Sequence, residues 1–284
     1  MTISVCIASR GRPLLLQQTV RTLCAGMTLP DTFISIALDQ DDKDMEACWT
    51  PAFMAPWNDR IRVTVEPRED SLGAKYNRAQ TYSPADLYVL WADDIIMPDK
   101  GWDAKLAEAA AQLPDQCGIV LFGQIPGVFQ PGLAMTQKFI DAQGFFNVPY
   151  FPFWWGETWP LEIATMAGCC VHADVRVELL QPIKGGSRGV REILFWARLY
   201  DELRPRRVAT ARKIILMGSE TADRKTALLD ALPVWKEHWT KSNSILRDPD
   251  QAARLEVHYS YDAPADERYL RLKAKAETML AELG

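Results

Sequence analysis

Short apolar runs alternate with amphipathic stretches through the first third of the chain. Ile3 to Ala8 is β-rich and closes in the polar turn Ser9-Arg10-Gly11-Arg12-Pro13, after which a helical period runs to about Ala25. Phe33 to Leu38 reads as a second strand ending in Asp39-Gln40-Asp41-Asp42, followed by a weaker helical pattern over Met45 to Phe53. Ile61 to Val65 is a third strand. Ser71 then caps a helix over Leu72 to Thr81, and Asp86 to Trp91 is a fourth strand. Four strand and helix alternations with short links predict a parallel sheet covered on both faces.

The pattern then loosens. Trp102, Leu106, Ala109 and Leu113 share one face of a helix over Gly101 to Leu113, and Gly118 to Phe122 gives a fifth strand. Residues 123–159, rich in glycine, proline and aromatics, read as irregular hairpins and loops, a length that usually carries function. Glu157 to Ala167 resumes a helix, and Cys169 to His172 a short strand. The glycines and proline of Gln181 to Gly189 mark the expected boundary. Residues 1–183 are thus expected to form an α/β domain. Residues 184–284 form a helical extension, closed by a helix over Ala265 to Leu283.

Composition narrows the class. With 48% hydrophobic and 24% charged residues, the chain matches an ordinary globular protein, and no apolar run is long enough to span a bilayer. A net charge of −5 argues against broad, charge-driven binding to nucleic acid. The charge is uneven, because residues 190–284 hold 17 Lys and Arg against 15 Asp and Glu, and Arg204 through Lys213 contains no acid. That run suits an anionic partner or a solvated helix face. The six cysteines follow no zinc spacing, and the adjacent Cys169 and Cys170 are poor disulfide partners, so reduced thiols in the cytoplasm are expected.

The candidate chemistry lies where strands end in acids. The apolar run Leu87-Tyr88-Val89-Leu90-Trp91 leads into Asp93-Asp94. Two adjacent carboxylates are costly to bury unless water or a cation receives them. In open α/β sheets the carboxyl ends of strands are where ligands sit. Asp39 ends another strand of the same inferred sheet, so Asp39, Asp93 and Asp94 are expected on one edge. Oxygen ligands that leave a water shell suit Mg²⁺ or Mn²⁺ better than zinc. Asp39 is placed to accept a hydrogen bond from a base N–H, and Arg10 and Arg12, just past the first strand, either to meet a nucleotide or its diphosphate or to pair with local acids at the surface. These acids also suit the plainer role of capping loops and helices.

Four segments carry a resemblance to family-2-type glycosyltransferases of the GT-A fold. Val5-Cys6-Ile7-Ala8-Ser9-Arg10-Gly11-Arg12-Pro13 looks like their first strand and turn, and Leu38-Asp39-Gln40-Asp41-Asp42 like their acidic second-strand segment. Gly73-Ala74-Lys75-Tyr76-Asn77-Arg78-Ala79 is similar to their glycine- and asparagine-bearing helix. Val89-Leu90-Trp91-Ala92-Asp93-Asp94 stands where their D-x-D metal motif falls. Together these cover roughly residues 3–103. The usual motif has an aspartate two positions before the last acid. Here that place is Ala92, so either Asp93 takes over as a ligand or Asp94 alone meets the metal.

The resemblance implies a mostly parallel GT-A-like sheet flanked by helices, and transfer of a sugar from a UDP- or GDP-sugar to an acceptor hydroxyl. Inversion would follow from a general base on the face opposite the leaving group. By the same resemblance, Mn²⁺ or Mg²⁺ would be held by Asp93, Asp94 and His172, and the nucleotide by Ser9, Arg10, Arg12, Asp39, Asn77 and Asp93. The base would be Glu157, in Trp154-Trp155-Gly156-Glu157-Thr158-Trp159, with Glu162 in reserve. Glu157 also suits an ordinary acid at a helix N-terminus. Trp154, Trp155 and Trp159 crowd a loop and suit sugar stacking or packing, whereas Trp49, Trp57, Trp91, Trp102, Trp196, Trp235 and Trp239 read as packing residues. His238 and His258 receive no role. The acceptor is left open among a glycan, a lipid-linked carrier, a protein and a modified nucleobase. Two rivals remain: a sugar-phosphate nucleotidyltransferase, disfavoured by one glycine and no lysine in Ser9 to Pro13, and a non-catalytic binding protein on the same sheet.

Overall fold

Strands that offer solvent no polar face must be covered on both sides. The computed structural model describes residues 1–48, 55–57, 59–123, 132–180, 191–234, 245–248, 250 and 266–283. In it β1 (Ile3–Ala8), β2 (Thr32–Asp39), β3 (Ile61–Glu66) and β4 (Leu87–Trp91) alternate with α1 (Pro13–Gly26), α2 (Lys43–Cys48) and α3 (Leu72–Thr81). Every residue of β1 and β4 is buried. Pro13 opens α1, where its missing N–H leaves no hydrogen bond unmade and its φ is already helical. Leu16, Val20 and Leu23 of that helix join Ile7, Ile36 and Val89 in one core.

Beyond β4 come β5 (Ile95–Ile96), α4 (Trp102–Ala110), β6 (Ile119–Phe122), β7 (Gly132–Thr136), α5 (Gln137–Gln143), β8 (Cys170–Ala173) and β9 (Glu178–Leu179). Among the described residues the main sheet has seven strands in the order β3-β2-β1-β4-β7-β6-β8, and β5 pairs with β9 apart from it. The sheet is mostly parallel, with β7 antiparallel to both β4 and β6. Residues 123–159 are therefore not irregular throughout. Gly132–Thr136 is a buried strand, and Thr136 caps the helix after it by accepting from Phe139 N at 3.4 Å. A five-residue apolar run has no period long enough to announce itself; pairing on both edges makes it a strand.

One buried acid ties this sheet to its helices. Asp103, fully buried at the start of α4, accepts from Thr28 N and Oγ1, Leu29 N, Thr32 Oγ1 and Ala104 N at 2.8–3.0 Å. All five donors are neutral, and both carboxylate oxygens are used. An amide would turn an NH₂ toward N–H and O–H groups. Asp103→Asn is therefore expected to cost about 2–3 kcal/mol, read as a lower midpoint in urea unfolding with unchanged nucleotide binding in the folded protein.

Contacts divide the chain into two units: Met1–Arg68, Lys75–Phe146 and Cys169–Pro182 in one, and Glu69–Ala74, Asn147–Gly168 and Ile183–Gly284 in the other. The second holds α6 (Thr158–Ala167), α7 (Ile193–Glu202), α8 (Arg204–Met217), α9 (Ala222–Ala231) and α10 (Glu267–Leu283). Its centre is aromatic. Phe151 lies 5.1 Å from Trp155 and 5.9 Å from Tyr200, and Tyr200 stacks on Trp155 at 5.9 Å between ring centroids. No described helix is long and apolar enough to cross a membrane. The expected boundary at Gln181 to Gly189, the end of the weak helix beyond Cys48, residues 124–131, Trp49, Trp235, Trp239, His238 and His258 lie outside the described residues.

Candidate active site

The sheet order reverses at β1, whose neighbours are β2 and β4. Chains leaving β1 and β4 at such a switch point part to opposite sides and open a crevice at their carboxyl ends, where ligands bind. The first residues past those strands meet there. Ser9 Oγ donates to Asp93 Oδ2. Thr19 Oγ1, from α1, donates to the Asp93 carbonyl at 3.0 Å. The acid turn is bracketed further by Trp91 Nε1 donating to Ile95 O at 3.0 Å and Leu180 N donating to Asp94 O at 2.9 Å. Asp93 and Asp94 are thus held by backbone bonds as well as by side chains.

A cation already spans the pair. Arg12 Nη2 lies 2.7 Å from Asp93 Oδ1, and Arg12 Nη1 lies 2.6 Å from Asp94 Oδ2. The Asp93 side chain is 1% exposed, that of Asp94 32% and that of Arg12 36%. Burial pushes the Asp93 carboxyl up to about 6, against the opposing pull of the Arg12 charge and the Ser9 hydrogen bond. The two oxygens facing Arg12 fit Mg²⁺ or Mn²⁺, which accept one or two carboxylates and take waters and phosphate oxygens for the rest. Among the described residues no group of three or more His, Cys, Asp or Glu side chains gathers as a metal cage.

Asp39 ends β2 as expected, yet it is not an open acceptor. Its carboxylate is buried, with Lys75 Nζ at 2.7 Å, Arg10 Nη1 at 3.0 Å, Arg78 Nη2 at 3.8 Å and Arg68 Nε at 3.9 Å. Arg10 also grips the exposed Asp41 through both Nη atoms, at 2.6 and 3.0 Å, which lowers the Asp41 carboxyl below its ordinary value. Asp42 accepts from Gly11 N at 2.7 Å and so shapes the turn after β1. A base N–H would have to compete with ammonium and guanidinium groups for Asp39. The cluster suits an anion better.

Asn77 is half-buried on α3. It is Lys75 and Arg78, three residues apart and so neighbours on one helix face, that reach Asp39. His172 is exposed in β8, opposite Leu121. Three strand spacings separate β8 from β4, about 14 Å, and among the described residues His172 does not gather with Asp93 and Asp94 into a three-residue metal group. The chain beyond β8 is what returns to the acids, through the β5–β9 pairing that ends at Leu180 and Asp94.

In the second unit Glu157 is the residue before α6, and its carbonyl accepts from Leu161 N at 3.3 Å. It is half-buried and follows Trp155, which takes the left-handed φ of 69° that a bulky residue rarely adopts. Glu162, one turn further, is committed elsewhere. Its Oε2 lies 2.6 Å from Nε of the fully buried Arg207 and accepts from Tyr200 OH at 2.7 Å. Arg207 Nη1 donates to Tyr200 O at 2.6 Å, and its guanidinium lies 3.8 Å from the Tyr200 ring centroid and 5.1 Å from that of Trp159. We read Glu162 as the anchor of this buried pair and not as a reserve base. Trp155 and Trp159 are buried in the same cluster and pack; Trp154 is half-buried beside Trp155.

No protein-family model matches the chain, and no curated protein matches it. Solved structures do. TarS from S. aureus, in complex with UDP-GlcNAc, is 9% identical with a TM-score of 0.53, over 86% of this chain and 75% of that one. The mannosyltransferase PcManGT from Pyrobaculum calidifontis, in complex with GDP-Man and Mn²⁺, is 12% identical with a TM-score of 0.53, over 98% and 80%. GalNAc-T7, with UDP, GalNAc and Mn²⁺, is 13% identical with a TM-score of 0.58, over 92% of this chain and 58% of that one. All three are glycosyltransferases of one fold.

The chain has the GT-A fold.

Within this GT-A fold, local sequence signals located the ends of β1, β2 and β4, and the register brings those ends together. Pairing of Arg10 and Arg12 with nearby acids, the alternative to a nucleotide contact, is what the structure shows, and what those signals missed is Lys75, Arg78 and Arg68 around Asp39. A signal existed for two of them, since Lys75 and Arg78 share a helix face within the segment that carries the resemblance. Gly73 of that segment has a plain reason to be glycine: a Cβ there would stand 2.1 Å from the Val148 carbonyl oxygen.

Proposed function

We propose that the chain transfers a glycosyl group from a UDP- or GDP-sugar to an acceptor hydroxyl, with inversion, using Mn²⁺ or Mg²⁺ at Asp93 and Asp94. The observation that carries this reading is the pair of carboxylates at the switch point of a GT-A sheet, arranged around a cationic group. Related folds give further support, as PcManGT holds GDP-Man with Mn²⁺ and GalNAc-T7 holds UDP with Mn²⁺. When bound, the ion supplies Lewis-acid neutralisation of the charge that develops on the departing diphosphate.

The remaining work falls to the chain. Ser9 and Thr19 hold Asp93 in place, and Arg10, Arg68, Lys75 and Arg78 offer the donor a cationic wall organised by Asp39. Asn77 lines the donor side from α3. Glu157, partly exposed at the head of α6, accepts the proton of the acceptor hydroxyl as the new bond forms. Residues 1–183 act as the catalytic domain, with residues 184–284 as its C-terminal extension. The acceptor is unidentified; a net charge of −5 weighs against a nucleic acid held by its backbone and leaves a modified nucleobase among the possibilities. Among the described residues Cys6, Cys24, Cys117, Cys169 and Cys170 are free thiols, Cys6 and Cys169 of them buried, which fits a reducing cytoplasm.

Calorimetry with UDP and GDP, with and without Mn²⁺, tests the reading, followed by a hydrolysis screen of UDP- and GDP-sugars. Nucleotide binding that strengthens with Mn²⁺ is expected. Absence of nucleotide binding under both conditions would favour a non-catalytic protein. Glu157→Gln is expected to keep its donor affinity while transfer falls about 10²–10⁴-fold, the usual worth of a general base. Turnover equal to that of the parent would place the base elsewhere.

A further inference from the structure

Arg12 stands in a position that the proposed chemistry assigns to something else. Its two terminal nitrogens face one oxygen each of Asp93 and Asp94, at 2.7 and 2.6 Å. A divalent ion shared by the same carboxylates would face those same oxygens. One guanidinium and one metal ion are not both accommodated between them.

The backbone of Arg12 is fixed while its side chain is not. The Arg12 carbonyl accepts from Leu16 N at 3.1 Å in the first turn of α1, and Pro13 follows at the first helical position. The side chain is 36% exposed and forms no part of the apolar core, so it can leave the acids without disturbing the helix. The charges make the exchange directional. Two ionised carboxylates with one guanidinium carry a net −1. A divalent ion in its place neutralises the pair and releases a +1 group beside the bound diphosphate, where planar, bidentate recognition of phosphate favours arginine.

We infer that Arg12 is a resident counter-cation for Asp93 and Asp94, displaced by the divalent ion and then bound to the donor's diphosphate, so that donor and metal load together. The inference rests on the glycosyl-transfer reading of the site. It makes metal binding weak in the absence of donor, because the ion must first expel a guanidinium, and stronger with donor, because the expelled group finds phosphate oxygens.

The test is Mn²⁺ titration of the metal-free protein, by calorimetry and by the loss of free Mn²⁺ signal in electron paramagnetic resonance, without nucleotide. Wild type, Arg12→Lys and Arg12→Gln are compared, with circular dichroism and melting curves confirming that all three fold. Arg12→Gln should bind Mn²⁺ about tenfold more tightly than wild type, the scale of removing one like charge a few ångströms from the ion. Arg12→Lys, which keeps the charge and loses the two-pronged span, should fall between. In the Mn²⁺-loaded proteins the order should invert for UDP or GDP, with Arg12→Gln weakest. Equal or weaker Mn²⁺ binding by Arg12→Gln would overturn the inference while leaving the glycosyl-transfer reading standing. Full nucleotide affinity of the wild type in EDTA, lost in Arg12→Gln, would also overturn it, by making Arg12 a permanent substitute for the metal. A wild type that binds neither Mn²⁺ nor nucleotide would remove the functional reading and this inference together.

Discussion

Asp94→Ala is expected to lose the dependence of donor binding on Mn²⁺ and to lower turnover about 10³-fold, the scale of removing one group that stabilises developing charge. Asp94 is a cleaner probe than its neighbour. Its side chain is 32% exposed, and its carbonyl accepts from Leu180 N, a backbone bond that alanine keeps. Asp93, by contrast, is buried against Ser9 and Arg12, so replacing it mixes folding with chemistry. The measurement is turnover against Mn²⁺ concentration beside a melting curve. An unchanged Mn²⁺ requirement at unchanged turnover would show that the acid pair holds no catalytic ion.

The largest effect on stability is expected at Glu162. The carboxylate is 5% exposed, Arg207 is fully buried, and Tyr200 OH shares the same carboxylate oxygen. Glu162→Gln leaves a buried guanidinium without its counter-charge and should cost about 3–5 kcal/mol, read from the urea midpoint. The double replacement Glu162→Leu with Arg207→Met should recover much of that loss, because an apolar pair of similar volume has no charge to desolvate. The same experiment separates structure from chemistry. If Glu162→Gln were as stable as the parent yet failed to transfer sugar, Glu162 would be the base and the anchor reading would fall.

Much of the fold was legible because its signals are local. The apolar runs of β1, β2 and β4, the proline that opens α1 and the serine before α3 each depend on a few neighbouring residues, and the structure places elements there. Asp39 and Asp93 could be placed on one edge because parallel strands present all their carboxyl ends to the same side. β7 could not, since an isolated five-residue apolar run is equally a piece of buried helix until two strands accept it.

The chain pattern alone settled the α/β class, the order of the first four strands along the sequence, and the acids at their ends, all consequences of period and of chain connectivity. Which charges meet was settled by folding: Arg12 over Asp93 and Asp94, Lys75 and Arg78 on Asp39, Glu162 with Arg207 in place of substrate, and His172 three strands from the acid pair. Ion pairing depends on distances of a few ångströms between residues tens of positions apart. Those distances exist only once sheet order and helix packing are fixed.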